Sequence, residues 1–75
     1  MMKVVIVCDG GLVQEVLSDG PVEYCVIDYD VEGTDEGWLS KIPQSEGKTA
    51  DAYAYSGLAS RRSYRVKEIF KAVQP

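Results

Sequence analysis

The chain contains no histidine among its 75 residues. Without an imidazole, the usual general base, the Ser-His and Cys-His nucleophile pairs and every His-containing metal site are excluded. Catalysis by carboxylates alone remains, with Asp9, Asp28 and Asp30 as candidates at strand ends. Solvated acidic rims explain these residues better. We therefore expect a protein that is not an enzyme, with no catalytic residue, metal or cofactor.

Cysteine and long apolar runs are also scarce. Cys8 and Cys25 occur singly among apolar residues and lack a CxxC spacing, which favours buried free thiols and a reducing compartment. The longest apolar run, residues 4–8, is far shorter than the roughly 20 residues of a membrane helix, and no signal-peptide pattern precedes it. We expect a cytoplasmic protein with no membrane partner.

Positive charge is missing from half of the sequence. Residues 4–40 contain no Lys or Arg, whereas residues 41–75 contain seven basic and three acidic residues. Nine acidic residues occupy the first segment: Asp9, Glu15, Asp19, Glu23, Asp28, Asp30, Glu32, Asp35 and Glu36. The net charge of −4 therefore conceals an acidic first half and a basic second half.

The length and composition indicate one small folded domain. A content of 45% hydrophobic and 27% charged residues is typical of globular proteins rather than disordered ones. A chain this short cannot divide its core, so we expect a single domain over residues 1–75. Such domains rarely gain more than about 3–5 kcal/mol from one core, which makes a homo-oligomer a further possibility.

The first 29 residues predict three antiparallel strands. Residues 3–8 are apolar and β-branched and end at Asp9-Gly10-Gly11, a hairpin-turn signal. Residues 12–17 return as a second strand, and the turn signal at residues 18–21 leads to a third strand over residues 22–29. Together they predict an antiparallel meander. Alternation in the third strand directs Cys25, Ile27 and Tyr29 towards the core.

The second half predicts a fourth strand and one helix. Between residues 30 and 48 we expect one helical turn, capped by Thr34, ended by Pro43, and with Trp38, Leu39 and Ile42 as its apolar side. Residues 50–56 alternate Ala and Tyr as a strand does. A helix then begins at Ser60, with an apolar stripe of Val66, Ile69, Phe70 and Val73. The expected fold class is α+β, a small antiparallel sheet packed by one C-terminal helix.

Residues 28–33 imitate the start of a calcium-binding loop. Oxygen-bearing side chains alternate there and a glycine stands at the sixth position. The twelfth position, however, is Leu39 where the motif requires a bidentate Glu, and a strand precedes the loop where the motif has a helix. We expect no tight calcium binding, and we interpret the segment as a strand end that runs into a turn.

The acidic segment suggests a surface for another protein. The candidate partner-binding residues are Asp28, Asp30, Glu32, Asp35, Glu36 and Trp38. A concentrated acidic surface is suited to docking on a basic surface of another protein. Exposed beside the carboxylates, Trp38 would anchor such a contact, but burial in the core is the commoner fate of a lone tryptophan and is what we expect.

The basic second half supports an alternative function. In a nucleic-acid-binding accessory protein, Arg61, Arg62, Arg65 and Lys67 of the C-terminal helix would contact phosphates. The pattern is not specific, because helices often carry basic residues towards solvent and the acidic half lies close by in a small fold. Nucleic acid is therefore the less favoured partner.

Two segments in the first half resemble a known group of sequences. Residues 10–14 read GGLVQ, and residues 26–33 read VIDYDVEG. The chain thereby resembles a loose group of small bacterial proteins, some encoded on phages and other mobile elements. Cys8-Asp9 departs from the apolar residue and Glu expected there. The group has no established activity, so no site residue is transferred; the resemblance implies only that host machinery, including defence nucleases and CRISPR complexes, is the kind of target such proteins block.

Overall fold

A computed structural model of the protein describes residues 1–74 and contains six strands, two short 3-10 turns and one α-helix. The strands are β1 (Val4–Asp9), β2 (Leu12–Ser18), β3 (Glu23–Asp28), β4 (Ser40–Pro43), β5 (Thr49–Leu58) and β6 (Ser60–Arg61), and the helix α1 is Ser63–Val73. The 3-10 turns are Glu36–Trp38 and Ser45–Gly47. The predicted α+β class is confirmed.

The chain forms two compact units. The first, the hairpin unit, comprises residues 1–24 together with residues 58–74; the second, the loop unit, comprises residues 25–57. The prediction of a single domain is neither supported nor opposed by this division and stays a prediction.

A tight hairpin opens the hairpin unit. Strands β1 and β2 pair antiparallel from Val4 opposite Ser18 to Asp9 opposite Leu12, with a bulge between Val7 and Cys8. Gly10 and Gly11 make the turn with φ values of 61° and 79°. The two-residue turn that best matches the twist of the flanking strands requires left-handed backbone at both of its positions. Glycine adopts this conformation without a steric cost. The predicted first two strands and their turn are confirmed.

The predicted meander differs from the sheets that form. The free edge of β2 pairs in parallel with β6, Leu17 opposite Ser60 and Ser18 opposite Arg61, so the order is β1-β2-β6. Strand β3 belongs instead to a second three-stranded sheet, with the order β3-β5-β4. The single expected sheet is therefore two. A two-residue strand such as β6 gives no periodic signal. The sequence therefore did not indicate that β6, rather than β3, pairs with the edge of β2.

Helix α1 closes the core of the hairpin unit. It contacts β1 and β2, and Val66 from its apolar stripe is buried to 1% exposure, as is Leu17 of β2. Val16 and Ser18 are buried as well, and the Ser18 hydroxyl donates a short hydrogen bond to the carbonyl of Gly20. The helix begins at Ser63 rather than at Ser60, because residues 60–61 are held in β6. The predicted C-terminal helix is otherwise confirmed.

The second sheet forms most of the loop unit. Strands β4 and β5 pair antiparallel, Ser40 opposite Ala52 and Pro43 opposite Thr49. Because side chains alternate between the faces of a strand, one face of β5 carries Ala50, Ala52 and Ala54, and the other carries Tyr53 and Tyr55. The alanine face is the covered one, with Ala52 fully buried and the other two half-buried. The predicted fourth strand is confirmed as β5.

The predicted core face of β3 is wrong. Cys25, Ile27 and Tyr29 are exposed, whereas Tyr24, Val26 and Asp28 on the opposite face are half-buried. The pattern supplied apolar residues to both faces of this strand, so alternation alone did not identify the covered face. Both thiols are free, but the prediction that they are buried is also wrong, since Cys8 and Cys25 are exposed.

The expected helical turn is present in a shorter form. It spans Glu36–Trp38, and its N-cap is Asp35 rather than Thr34. Ile42 and Pro43 do not follow it in a helix but lie in β4, which the sequence reading missed. Among residues 1–74, no helix has both the length and the apolar character needed to cross a membrane.

Candidate functional site

The acidic loop, residues 28–36, leaves the end of β3 and is shaped by its own side chains and backbone. The Asp28 carboxylate accepts a hydrogen bond of 2.9 Å from the backbone N–H of Asp30, and the N–H of Thr34 donates to the carbonyl of Val31 at 3.0 Å. Gly33 has a φ of 77° within this second turn. Such local bonds to short polar side chains favour turns over regular structure. These hydrogen bonds restrict the conformation of a segment that carries five carboxylates and no basic residue.

The 3-10 turn that follows the acidic loop orients Trp38. The Asp35 carboxylate accepts a 3.0 Å hydrogen bond from the N–H of Gly37, and the N–H of Trp38 donates to the Asp35 carbonyl at 2.9 Å. Leu39 closes the turn by donating to the carbonyl of Glu36 at 3.1 Å. Asp35 thus serves as a cap and as a surface charge, and the tryptophan is one turn away from it.

Trp38 is exposed, and the expectation that it lies in the core is wrong. Its side chain is 68% accessible, against 0% for Ala52 in the same unit. The short 3-10 turn buries no residue at all. A turn of three residues offers no periodic apolar face, so the predicted apolar side of Trp38, Leu39 and Ile42 did not form. The largest side chain of the protein is therefore presented to solvent beside Asp35 and Glu36.

A shallow groove of about 250 Å³ adjoins this turn. It is lined by Glu36, Leu39, Lys41 and Asp51. The Lys41 ammonium donates a 2.8 Å hydrogen bond to the Asp51 carboxylate. This bond and the charge of Asp51, with a smaller contribution from Glu36, raise the pKa of Lys41 above its ordinary value. The single basic residue of the groove is thus already paired, which leaves the Glu36 carboxylate available.

Two tyrosines extend this surface along β5. Tyr53 and Tyr55 follow Asp51 at two-residue intervals, so they share its face of the strand. Their rings are 5.8 Å apart at an interplanar angle of 58°, and both are exposed. Sequence reasoning placed a strand here but did not assign these tyrosines to a site. The alternation of Ala and Tyr was the available signal, because it separates a small-residue face from an aromatic one.

The four basic residues of the alternative site lie in the hairpin unit, in different local settings. Arg61 ends β6. Arg62 occupies the N-cap position of α1 without a capping hydrogen bond from its side chain, and its guanidinium donates to the Arg61 carbonyl at 2.9 Å. Arg65 pairs with Glu15 of β2 at 3.1 Å. Lys67 lines a different groove, which it shares with Lys3 and Lys71. The lysines at positions 3 and 71 were not part of the predicted site, although the four-residue spacing of Lys67 and Lys71 indicates a common helix face.

Metal-binding geometry is absent from residues 1–74, where no group of three or more His, Cys, Asp or Glu side chains is arranged to hold an ion. In the calcium-like segment, one Asp28 carboxylate oxygen is occupied by the N–H of Asp30. The expectation that the loop does not bind calcium tightly stays a prediction.

Comparisons of the chain with protein-family models, with curated proteins and with solved structures find no match.

Proposed function

We propose that the protein is a non-enzymatic interaction module that binds another protein through the acidic loop and Trp38. The observation that carries the proposal is the exposure of Trp38, 68% accessible beside Asp35 and Glu36. Tryptophan is enriched among the few residues that dominate binding energy, and leaving it in water has a cost that a partner removes. No packing role within the loop unit accounts for this side chain, since its 3-10 turn has no buried residue.

Local hydrogen bonds support the proposal, because they restrict the site before a partner arrives. Asp28 and Asp35 each accept a backbone N–H two residues ahead. Ordering a flexible loop on binding costs part of the interaction energy, and a loop that is already turned pays less of it. The segment is therefore suited to presenting Trp38 and its neighbouring carboxylates in one arrangement.

The charge of the segment indicates the kind of partner. Residues 28–36 carry five carboxylates without a basic residue, and Asp51 already pairs with Lys41, the nearest cation of the groove. A basic surface on the partner would complement this charge and accelerate association at low salt. Tyr53 and Tyr55 extend the apolar part of the surface, in keeping with interfaces that combine an aromatic centre with a polar rim.

The resemblance to mobile-element proteins extends the proposal to inhibition of host machinery, such as a defence nuclease or a CRISPR complex whose basic groove holds nucleic acid. The compartment in this proposal is the cytoplasm, because Cys8 and Cys25 are both exposed free thiols, and such thiols persist in a reducing environment. Nucleic-acid binding through Arg61, Arg62, Arg65 and Lys67 is the alternative.

The test compares the truncation of two exposed aromatic side chains, Trp38 and Tyr64. Tagged protein is used to capture its cellular partner, which is then purified for direct titration. We expect Trp38→Ala to weaken binding by about 30-fold or more, as truncation of a central anchor does, and reversal of Asp30, Glu32, Asp35 and Glu36 to Lys to abolish it. Tyr64→Ala is the matched control, because Tyr64 is also largely exposed, at 77%, but lies on α1.

Reversal of Arg61, Arg62 and Arg65 to Glu is the control for charge. Under the proposal it leaves partner binding nearly unchanged. The free energies of unfolding of the Trp38, Tyr64 and arginine variants stay within about 0.5 kcal/mol of wild type, whereas the acidic reversal also removes the Asp35 cap. Filter binding to a duplex at two salt concentrations tests the alternative. Submicromolar, salt-sensitive duplex binding that is lost with the three arginines would replace our proposal with the nucleic-acid function.

A further inference from the structure

A second groove, of about 450 Å³, lies in the hairpin unit and has no role in the proposed function. One face of α1 forms a wall, since Ser63, Val66, Lys67, Phe70, Lys71 and Gln74 follow the three- and four-residue spacing of a helix face. Lys3, just before β1, and Asp19, just after β2, complete the lining. The volume falls within the range of about 300–1,000 Å³ that small-molecule sites occupy.

The groove concentrates positive charge in an acidic protein. Lys3, Lys67 and Lys71 bring three ammonium groups to it, against the one carboxylate of Asp19. Among residues 1–74 the ion pairs are Lys41 with Asp51 and Arg65 with Glu15, so neither involves these lysines. One oxygen of Asp19 accepts the backbone N–H of Lys3 at 2.9 Å. Three compact, strongly hydrated cations around one concavity are suited to an anion with two or more negative charges, such as a phosphate.

One aliphatic and one aromatic side chain also line the groove. Val66 is 1% exposed, and Phe70 is half-buried. The Lys3 ammonium lies 5.8 Å from the centre of the Phe70 ring, at the outer range of a cation–π contact. A ligand that is only a phosphate would make no use of this ring. A ligand that also carries a flat ring would cover it.

We propose that this groove binds a small phosphate ester with a flat aromatic body, of the nucleoside monophosphate class. Lys67 and Lys71, one turn apart on α1, would hold the phosphate. The aromatic body would stack on Phe70 in place of the Lys3 ammonium, which lies over that ring and would turn towards the phosphate. The remaining acceptor capacity of Asp19 suits a sugar hydroxyl. A small anion is favoured over a nucleic acid, because a net charge of −4 repels an extended polyanion while leaving the local attraction of three lysines intact.

The experiment titrates the full chain with three probes and follows binding by calorimetry and by amide chemical shifts. The probes are adenosine monophosphate, inorganic phosphate and adenosine. We expect adenosine monophosphate to bind at least about tenfold more tightly than either part alone, with shifts along α1 and at residues 3 and 19. Equal affinity of phosphate and the nucleotide would overturn the aromatic part of the site and with it the proposal.

Matched variants test which basic residues bind the phosphate. The double variant Lys67→Gln with Lys71→Gln should reduce nucleotide affinity by about tenfold or more, because it removes two charge-assisted hydrogen bonds to the phosphate. Lys3→Gln removes one charge and should reduce the affinity by less. Arg61→Gln with Arg62→Gln removes the same charge outside the groove and should change affinity by less than about twofold. Circular dichroism confirms that each variant is folded, since all five positions are exposed.

Three further outcomes would overturn the proposal. The first is an absence of binding at millimolar nucleotide, and the second is an equal loss in the arginine control, which would reduce the effect to overall charge. The third is binding of a single-stranded oligonucleotide through the same residues with an affinity orders of magnitude higher than that of the nucleotide, which would make the groove a nucleic-acid site. Because the groove lies outside the acidic loop, none of these results bears on capture of a protein partner.

Discussion

The hairpin unit and the loop unit differ in the number of apolar residues that they bury. Three of the four buried hydrophobic residues, Val16, Leu17 and Val66, belong to the hairpin unit, and Ala52 is the single one in the loop unit among the described residues. The loop unit instead exposes aromatic residues: Tyr29, Trp38, Tyr53 and Tyr55. Both units expose large apolar side chains, Ile6, Leu12 and Leu58 of the hairpin unit among them, but the hairpin unit has most of the buried core and the loop unit exposes all four of its aromatic residues.

This difference suggests how a short chain carries a binding surface. A core of a few residues yields only a few kcal/mol. The stability lost by leaving large side chains exposed must therefore come from other parts of the fold. Here a helix closes over a hairpin in the hairpin unit, while the loop unit relies on alanine packing and local turns. We infer that global stability is concentrated in the first unit and that the second is stabilised further when its surface is covered by a partner.

The largest expected effect comes from removing the core of the hairpin unit. Leu17→Ala should lower the free energy of unfolding by about 2–5 kcal/mol, because it deletes a fully buried side chain and leaves a cavity. Ile42→Ala, at a half-buried position of β4, should cost less than half as much. Denaturant unfolding measures both.

Leu58→Ala controls for the chemistry of that substitution. Leu58 is 78% exposed, so its truncation should change the free energy of unfolding by no more than about 0.5 kcal/mol. If Ile42→Ala destabilises as strongly as Leu17→Ala, the two units contribute equally to stability and our comparison fails.

A smaller effect is expected from the same substitution in the turn of each unit. Gly11→Ala and Gly33→Ala both place a Cβ on left-handed backbone, with φ values of 79° and 77°, and neither Cβ would meet a neighbour within 4 Å. Each should therefore cost about 1–2 kcal/mol of local strain. In the hairpin unit the strain should appear as lost stability, whereas in the loop unit it should appear as lost partner affinity.

The readouts for this pair are the unfolding midpoint and the dissociation constant of the partner, measured on both variants. Similar losses of stability with unchanged binding in Gly33→Ala would show that the conformation of the acidic loop does not matter for recognition.

The smallest expected effect distinguishes the ion pairs of the two units at high pH. The Asp51 carboxylate raises the pKa of Lys41 above its ordinary value of 10.5. The folded-state pKa therefore exceeds the unfolded one, so the contribution of this pair is fully present below pH 10.5 and is lost as the pH rises through the folded value. The comparison is the pair of Arg65 with Glu15 in the hairpin unit, whose cation is a guanidinium rather than an ammonium.

Unfolding measured between neutral pH and about pH 11.5 in wild type and in Lys41→Arg checks this prediction. Other effects of high pH act on both proteins alike, so only the difference between them is used. The variant should gain relative stability above pH 10.5, and the gain should be small because both partners are exposed. A difference that does not change with pH would argue against the pair in solution.

The sequence predicted the local elements of this fold better than their partners. The β1–β2 hairpin follows from β-branched residues on either side of Gly10-Gly11, and α1 follows from the spacing of Val66, Ile69 and Phe70. The edge of β2, however, is filled by the two residues of β6, whose pairing depends on a contact across more than 40 positions of sequence. Such a contact leaves no trace in a local pattern.

The candidate site was predictable as a set of charges but not as a surface. Asp28, Asp30, Glu32, Asp35 and Glu36 lie in one continuous loop, as their positions in the sequence implied. Exposure of Trp38 was not predictable, because composition does not reveal whether a lone tryptophan has a core to enter. The basic groove was missed for a related reason: Lys3 is more than 60 residues from Lys67, and only tertiary structure brings it to α1.

The two exposed thiols allow the protein to be labelled with fluorescent dyes. Cys8 lies in the hairpin unit and Cys25 lies in the loop unit, and both are accessible in the folded state. A donor and an acceptor dye attached to them would convert the separation of the two units into an energy-transfer efficiency without any engineered residue. Single-molecule recordings on such a conjugate, with and without the protein partner, would report whether the units move against each other when the acidic loop is engaged.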